Sequence, residues 1–317
     1  MVSLQTNGAG KSTTFKMLTS EEIPTSGDAY VRSRAGTKLL SVTAQRQQAR
    51  QLMGYCPQYD ALNTLLTVRE HLHFYARIRG APHHRVDGVA NALIWRMHLS
   101  PFADRKAGNL SGGNKRKLCV AISLICEPEV VLLDEMSTGV DAGVRRFLWD
   151  VVLEALPGRV VVLTTHSMDE CEALCTKLGI MARGSFRCFG SVTELKERYG
   201  EGYFLTVKVP QEHEERMRSF VLRTMLERRD ISHAALIDRH EGKMVFKLNI
   251  AAAELSGVFG ALERLKNAEG GVAITLNDYA VEQDSLERIF VSVAENAALE
   301  EEREDERTKQ QNPNEGG

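Results

Sequence analysis

The chain has 317 residues, 43% of them hydrophobic and 26% charged, with a formal net charge of −2; this is the make-up of a globular protein with one large domain or two ordinary ones. So small a charge gives no electrostatic reason to expect nucleic acid or an anionic membrane surface as a direct partner. No apolar run of about 18 residues suggests a membrane span, and no secretory segment is evident. Six cysteines without a CxxC pair read as reduced, intracellular thiols rather than a disulfide framework.

The first informative stretch is Asn7-Gly8-Ala9-Gly10-Lys11-Ser12-Thr13-Thr14. Compact glycines let backbone N–H groups turn toward phosphate oxygens, Lys11 is spaced to reach the outer phosphates, and the Ser12 hydroxyl is spaced for Mg²⁺. Thr13 to Thr19 is expected to continue as a helix with its positive end toward the anion. The plainer alternative is a Gly-rich turn with an incidental lysine. Gln5 stands where the motif has its first glycine, and the feeding strand is reduced to Val2-Ser3-Leu4, so the chain reads as cut at its N-terminus.

Pro24-Thr25-Ser26-Gly27 marks a turn. A polar hairpin is expected over Ala29 to Val42, a basic helix over Ala44 to Leu52, and a short strand ended by proline over Gly54 to Gln58. Gln58 is either a metal or water-positioning ligand or a solvated loop residue. Residues 62–126 read as a helical insert. Thr67 is a candidate N-cap with Glu70 three residues on, and Leu72, Tyr75, Ala76 and Ile78 form an apolar face. Gly80-Ala81-Pro82 ends that helix, and Val86 to His98 forms a second. His71, His73, His83 and His84 lack acids or cysteines at ligand spacing and read as solvated, and Trp95 as core.

Leu110-Ser111-Gly112-Gly113 is a second Gly-rich turn, expected to head a helix from Asn114 to Cys126. A hydroxyl, two compact residues and free N–H groups suit another phosphate. One domain rarely needs two such loops, so the second is expected to serve a nucleotide held elsewhere. Val130 to Leu133 reads as a buried parallel strand ending in Asp134, suited to Mg²⁺, and Glu135, suited to polarising water. Strand-end acids as structural caps are the alternative. Asp141 closes a tight loop before a helix to Leu156. A strand over Val160 to Leu163 leads to Thr164-Thr165-His166, with His166 placed to hold phosphate or orient water. Cys171 and Cys175 read as one apolar helix face rather than zinc ligands, and a hairpin turns at Arg183-Gly184.

NGAGKST, YCPQ, LSGGNKRKL, VVLLDE, STGVD and TTH, in this order, resemble the nucleotide-binding cassette of ABC transporters over roughly residues 1–200. GYCPQYDAL, LTVREHLHFYARIRG and THSMDECEALCTKLGIM are similar to the second cassette of A-subfamily transporters, which move lipids. The resemblance implies an α/β P-loop NTPase fold with a helical subdomain, and ATP and Mg²⁺ as cofactors. Asn7, Gly8, Ala9, Gly10, Lys11, Ser12 and Thr13 would be the Walker A loop. Gln58 would be the Q-loop residue, Ser111, Gly112 and Gly113 the signature, and Asp141 the D-loop residue. Asp134 and Glu135 would be the Walker B aspartate and catalytic glutamate, and His166 the switch histidine. It also implies a second cassette and transmembrane domains as partners, with the lipid handled by those domains. The site would lie on the cytoplasmic face of a membrane. The family's adenine-stacking aromatic has no counterpart here, and a non-hydrolysing binding module is the alternative function.

From Tyr203 the pattern changes. Strands are expected at Tyr203 to Val209, Ala234 to Asp238, Met244 to Asn249 and Val272 to Tyr279, with helices at Glu212 to Arg228 and Ala253 to Lys266. The order βαββαβ reads as a ferredoxin-like domain over 201–294. Phe246 alone among aromatics on the Met244 to Asn249 strand supports base stacking poorly. The family resemblance implies a regulatory role for this domain and a closing helix over Asp284 to Val293. Residues 295–317, rich in acid, Gln and Asn, read as disordered.

Overall fold

A computed structural model describes residues 2–5, 9–33, 36, 39–200, 202–226, 234–250, 255–266, 274, 276–293 and 295. Its backbone divides into two compact units, parting between Val192 and Thr193, the second ending at Val293.

In the first unit a six-stranded sheet has the order β4-β5-β6-β1-β7-β8. Strands β1 (Val2–Gln5), β4 (Met53–Cys56), β5 (Val130–Asp134), β6 (Val160–Thr165) and β7 (Leu178–Ala182) run parallel, and β8 (Ser185–Gly190) returns antiparallel to β7. A strand covered on both faces must be apolar throughout, and β5 is buried from Val131 on. The register sets Cys56 beside Leu133, Asp134 beside Thr164, and Leu4 beside Thr165. The carboxyl ends of β4, β5, β6 and β1 therefore share one edge, where an open α/β sheet presents its chemistry.

Helix α1 (Lys11–Leu18) packs on β5, and α5 (Gly112–Ser123) on β4 and β5. That second approach is close. A Cβ on Gly54 would lie 1.8 Å from the Ser123 carbonyl oxygen, so only glycine fits there. Before β4 come a hairpin, β2 (Tyr30–Arg32) with β3 (Leu39–Ser41), and a short helix α2 (Arg46–Gln51).

The helical insert is a pair, α3 (Val68–Ile78) and α4 (His83–Arg96), with α3 against α5. Thr67 and Glu70 form the expected reciprocal capping box. Three expectations need correction. Helix α5 starts at Gly112 because the Ser111 side chain caps it, and it stops at Ser123. Cys126 and Glu127 have positive φ, which ends a right-handed helix. His71 is not solvated: it is 2% exposed, its Nε2 accepts from Asn63 N, and its Nδ1 lies 2.8 Å from Thr67 O. Trp95 is not core: it is 77% exposed, on the side of α4 away from buried Val86, Ala90 and Leu93. The remaining elements are α6 (Ala142–Ala155) and α7 (Met168–Leu174), the latter against β1 and β6.

The second unit begins with α8 (Val192–Tyr199), whose first residue lies at the boundary. It continues as β9 (Tyr203–Lys208), α9 (Glu214–Leu226), β10 (Ala234–His240), β11 (Lys243–Leu248), α10 (Leu255–Lys266) and β12 (Asp278–Gln283). The sheet order is β10-β11-β9-β12, every pair antiparallel. Leu205 and Val207 of β9 and Met244, Phe246 and Leu248 of β11 alternate inward onto α9 and α10. The last strand is later than the expected Val272 to Tyr279; 267–273 and 275 lie outside the described residues. Residues 286–293 are helical. Of the tail read as disordered, 296–317 lie outside the described residues.

Candidate functional site

The loop between β1 and α1 is braced from the sheet edge. Gly10 sits at φ 97, a conformation glycine adopts freely, and a Cβ there would press 3.3 Å from the Gly184 Cα. Gly184 N donates to Ala9 O at 2.9 Å, so the β7–β8 turn supports the loop. Asn7 and Gly8 lie outside the described residues. Thr13 is exposed, on the outer side of α1.

Lys11 and Ser12 open α1 and point toward β5. The Ser12 hydroxyl donates to Asp134 Oδ2 at 3.0 Å, and Thr164, across the β5–β6 register, donates to Asp134 Oδ1. Lys11 is 8% exposed, and its Nζ lies 3.3 Å from Glu135 Oε1 with no hydrogen-bond partner among the described residues.

Glu135 is the convergence point. Its Oε2 accepts from Gln58 Nε2 at 2.9 Å and from the Thr138 hydroxyl at 3.3 Å, with His166 Nδ1 3.8 Å away. Its backbone is in the left-handed region, φ 46, where a non-glycine residue is strained. Gln58 and His166 (60% exposed) reach the same carboxylate from the ends of β4 and β6. Lys11, Ser12, Gln58, Asp134, Glu135 and His166 thus form one cluster.

Ser111, Gly112, Gly113 and Asp141 do not join it. Ser111 Oγ accepts from Asn114 N at 3.3 Å, and Asp141 Oδ1 from Val144 N at 2.9 Å, so each caps a helix. A Cβ on Gly113 would lie 3.1 Å from the Val144 side chain; the starts of α5 and α6 lie side by side. Among the described residues, no hydrogen bond or ion pair links this exposed pair to the Glu135 cluster.

Two groups escaped the sequence reading. Thr164 is found only through strand register. Arg116, 3% exposed, donates to five backbone carbonyls around Gln58 and Glu135. Its spacing with Cys119, Val120 and Ser123, an arginine in register with the buried face of a helix, was the available signal. Burial pushes the Cys56 thiol up to about 11, against the opposing pull of Arg116, so it stays protonated beside the site. Burial and then the Asp134 charge raise the Tyr55 phenol.

Residues 5–138 match the family model for ABC transporters. The chain is 42% identical over 292 residues to the human retinal-specific phospholipid-transporting ATPase ABCA4, covering 92% of this chain and 12% of that protein. It is 44% identical over 293 residues to the rat phospholipid-transporting ATPase ABCA3, covering 91% and 16%. It therefore spans only a small part of these relatives. The fold is similar to a solved ATP-binding subunit of an ABC transporter (TM-score 0.56, 23% identity, 62% of this chain and 80% of that one). A cassette captured after hydrolysis with ADP and Pi gives a TM-score of 0.54 at 20% identity, over 61% and 85%.

Proposed function

Residues 5–138 belong to the ABC transporter family, and from that premise we propose that the chain binds ATP with Mg²⁺ and hydrolyses it, as the second cassette of an A-subfamily lipid transporter. One observation carries the reading. Lys11 is a buried ammonium at the start of a helix, with the Glu135 carboxylate beside it and, among the described residues, no hydrogen-bond partner. A buried cation so poorly satisfied, among helix N–H groups, suits a polyphosphate. Ser12 and Asp134 are the hard oxygen donors Mg²⁺ prefers.

Bound Mg²⁺–ATP supplies the phosphoanhydride bond and a metal charge that neutralises phosphate oxygens. In this reading Ala9, Gly10 and Lys11 would hold the phosphates, and the resemblance assigns Asn7, Gly8 and Thr13 to the same loop. Ser12, Asp134 and Gln58 would face the metal, and Glu135, with Gln58 and His166, would orient and deprotonate the attacking water. The separate, exposed pairing of Ser111, Gly112 and Gly113 with Asp141 suits a nucleotide held by a second cassette.

The surface supports further partners. A groove of 580 Å³, lined by Arg46, Arg50, Tyr55, Tyr75, Ile78 and Arg79, suits docking of transmembrane domains that would handle the lipid. Among the described residues no helix is long and apolar enough to cross a membrane. The cassette would work at a membrane's cytoplasmic face. The βαββαβ order and antiparallel sheet of the second unit support a ferredoxin-like regulatory domain.

The test is equilibrium binding and turnover of Mg²⁺–ATP by the full chain and by Lys11→Ala. Loss of the ammonium is expected to weaken binding at least about tenfold, or ~1.4 kcal/mol. Equal binding by both proteins, or none by the wild type, would overturn the reading.

A further inference from the structure

We infer that Arg116 is a positioning residue for hydrolysis, which fastens the Gln58 loop and the strained Glu135 peptide to helix α5 so that the two side chains meet. The inference rests on the hydrolytic reading above, but its geometry stands apart from any nucleotide.

A guanidinium carries five N–H donors in a rigid planar fork. In Arg116, Nε donates to Met136 O at 2.8 Å. Nη1 donates to Pro57 O at 2.7 Å and Gln58 O at 3.2 Å, and Nη2 to Asp134 O at 2.8 Å and Glu135 O at 3.0 Å. Among the described residues it forms no ion pair. Its whole donor capacity goes to the backbone of two loops, one after β4 and one after β5.

Those loops carry the two groups that must act together. Glu135 holds φ 46, and a strained backbone persists only where its surroundings over-determine it. Here the N–H of Glu135 donates to Thr164, both carbonyl and hydroxyl, at 3.1 Å, while its carbonyl accepts from Arg116. Both ends of the residue are clamped, and the carboxylate is aimed at Gln58 Nε2, 2.9 Å away.

Arg116 also belongs to the first turns of α5, five residues after the capping Ser111. A shift of that helix carries the guanidinium with it. The exposed Ser111-Gly112-Gly113 turn is thereby tied mechanically to the acid of this chain's own site, on which none of its side chains bears directly. Lysine cannot replace the fork: its three tetrahedral donors leave at least two of the five carbonyls unserved.

The experiment compares the full chain with Arg116→Lys and Arg116→Met. It reads ATP affinity without Mg²⁺, kcat with Mg²⁺, and amide hydrogen exchange in the segments 53–60 and 130–138. We expect metal-free affinity to stay within about threefold, since α1 and its loop are untouched, whereas Asp134 and Gln58, which would face the metal, are held through Arg116. We expect kcat to fall about a hundredfold, the scale of an ångström-sized misplacement. Faster exchange is expected in those two segments and not in α3 or α4. A purely architectural arginine would instead lower affinity and kcat together and loosen the whole unit, and that result overturns the inference. So does an Arg116→Lys protein with wild-type turnover and exchange. Should the Met variant fail to fold, the Lys variant carries the test. If the wild type itself turns over no ATP, the hydrolytic reading fails, while the exchange pattern still decides whether Arg116 clamps these loops.

Discussion

Replacing Glu135 by glutamine keeps the shape of the side chain and removes its charge. Its Oε1 lies 3.3 Å from the Lys11 ammonium, and its Oε2 faces the Gln58 amide at 2.9 Å. Both neighbours are donors, so whichever way the new amide is turned, its NH₂ meets a donor and one contact is lost. At an effective dielectric of about 20, the Lys11–Glu135 attraction at this distance is about 5 kcal/mol gross. Much of that is offset by the desolvation of two buried ions. The net loss of stability should be about 1–3 kcal/mol, or roughly 2–4 °C of melting temperature per kcal/mol for a unit of this size. Lys11, freed from its carboxylate, no longer has to break an ion pair to receive phosphate, so affinity should rise, by about tenfold for each ~1.4 kcal/mol released. Turnover should fall about 10²–10⁴-fold, the usual worth of a general base. Phosphate release and nucleotide binding on the same preparations separate the two effects. A Glu135→Gln protein that hydrolyses at the wild-type rate, or binds more weakly, would refute the assignment of Lys11 and Glu135 as partners in one site.

Two further expectations concern the scaffold. Gly54→Ala places a Cβ 1.8 Å from the Ser123 carbonyl oxygen, and backbone cannot yield as a side-chain tip does. It should cost about 1–3 kcal/mol or more in thermal unfolding, whereas Gly88→Ala, with open space in α4, should be neutral or gain up to about 1 kcal/mol. In the second unit, the Arg239 hydrogen bond, aided by the Gly242 amide, holds the Glu214 carboxyl below its usual value. A lowered folded-state value stabilises at neutral pH and is lost as pH falls through it. Protection factors in β9 and β11, corrected for the intrinsic pH dependence of amide exchange, should fall on acidification, and Glu214→Gln should flatten that response; an unchanged acid profile would count against the Glu214–Arg239 link.

Local chemistry was legible in the chain itself. Glycines, a lysine and a serine at fixed spacing suggest a phosphate loop, and an apolar run ending in two acids predicts a strand, which β5 is. Thr67 with Glu70 announced a helix start. Each signal lies within a few residues, which is the range over which spacing alone dictates geometry. Trp95 and His71 lie on faces opposite to those expected because the same helical spacing suits either face, and only the packing of α3 against α4 and α5 decides which face is covered. Expected boundaries slipped where a side chain, not a pattern, ends an element, as Ser111 does for α5.

What the folded chain alone decided is which distant residues meet. Gln58, Asp134 and His166 are spread over more than a hundred positions, and strand order and register bring their loops to one edge. The same register sets Thr164 beside Asp134 and gives Glu135 its clamped, left-handed backbone. Arg116 carries no motif signature; its role depends on five carbonyl oxygens from two loops, and hydrogen bonds to backbone leave no mark on the identities of the residues that accept them. Spacing along the chain could name the candidate groups, but their convergence is a long-range property of the sheet.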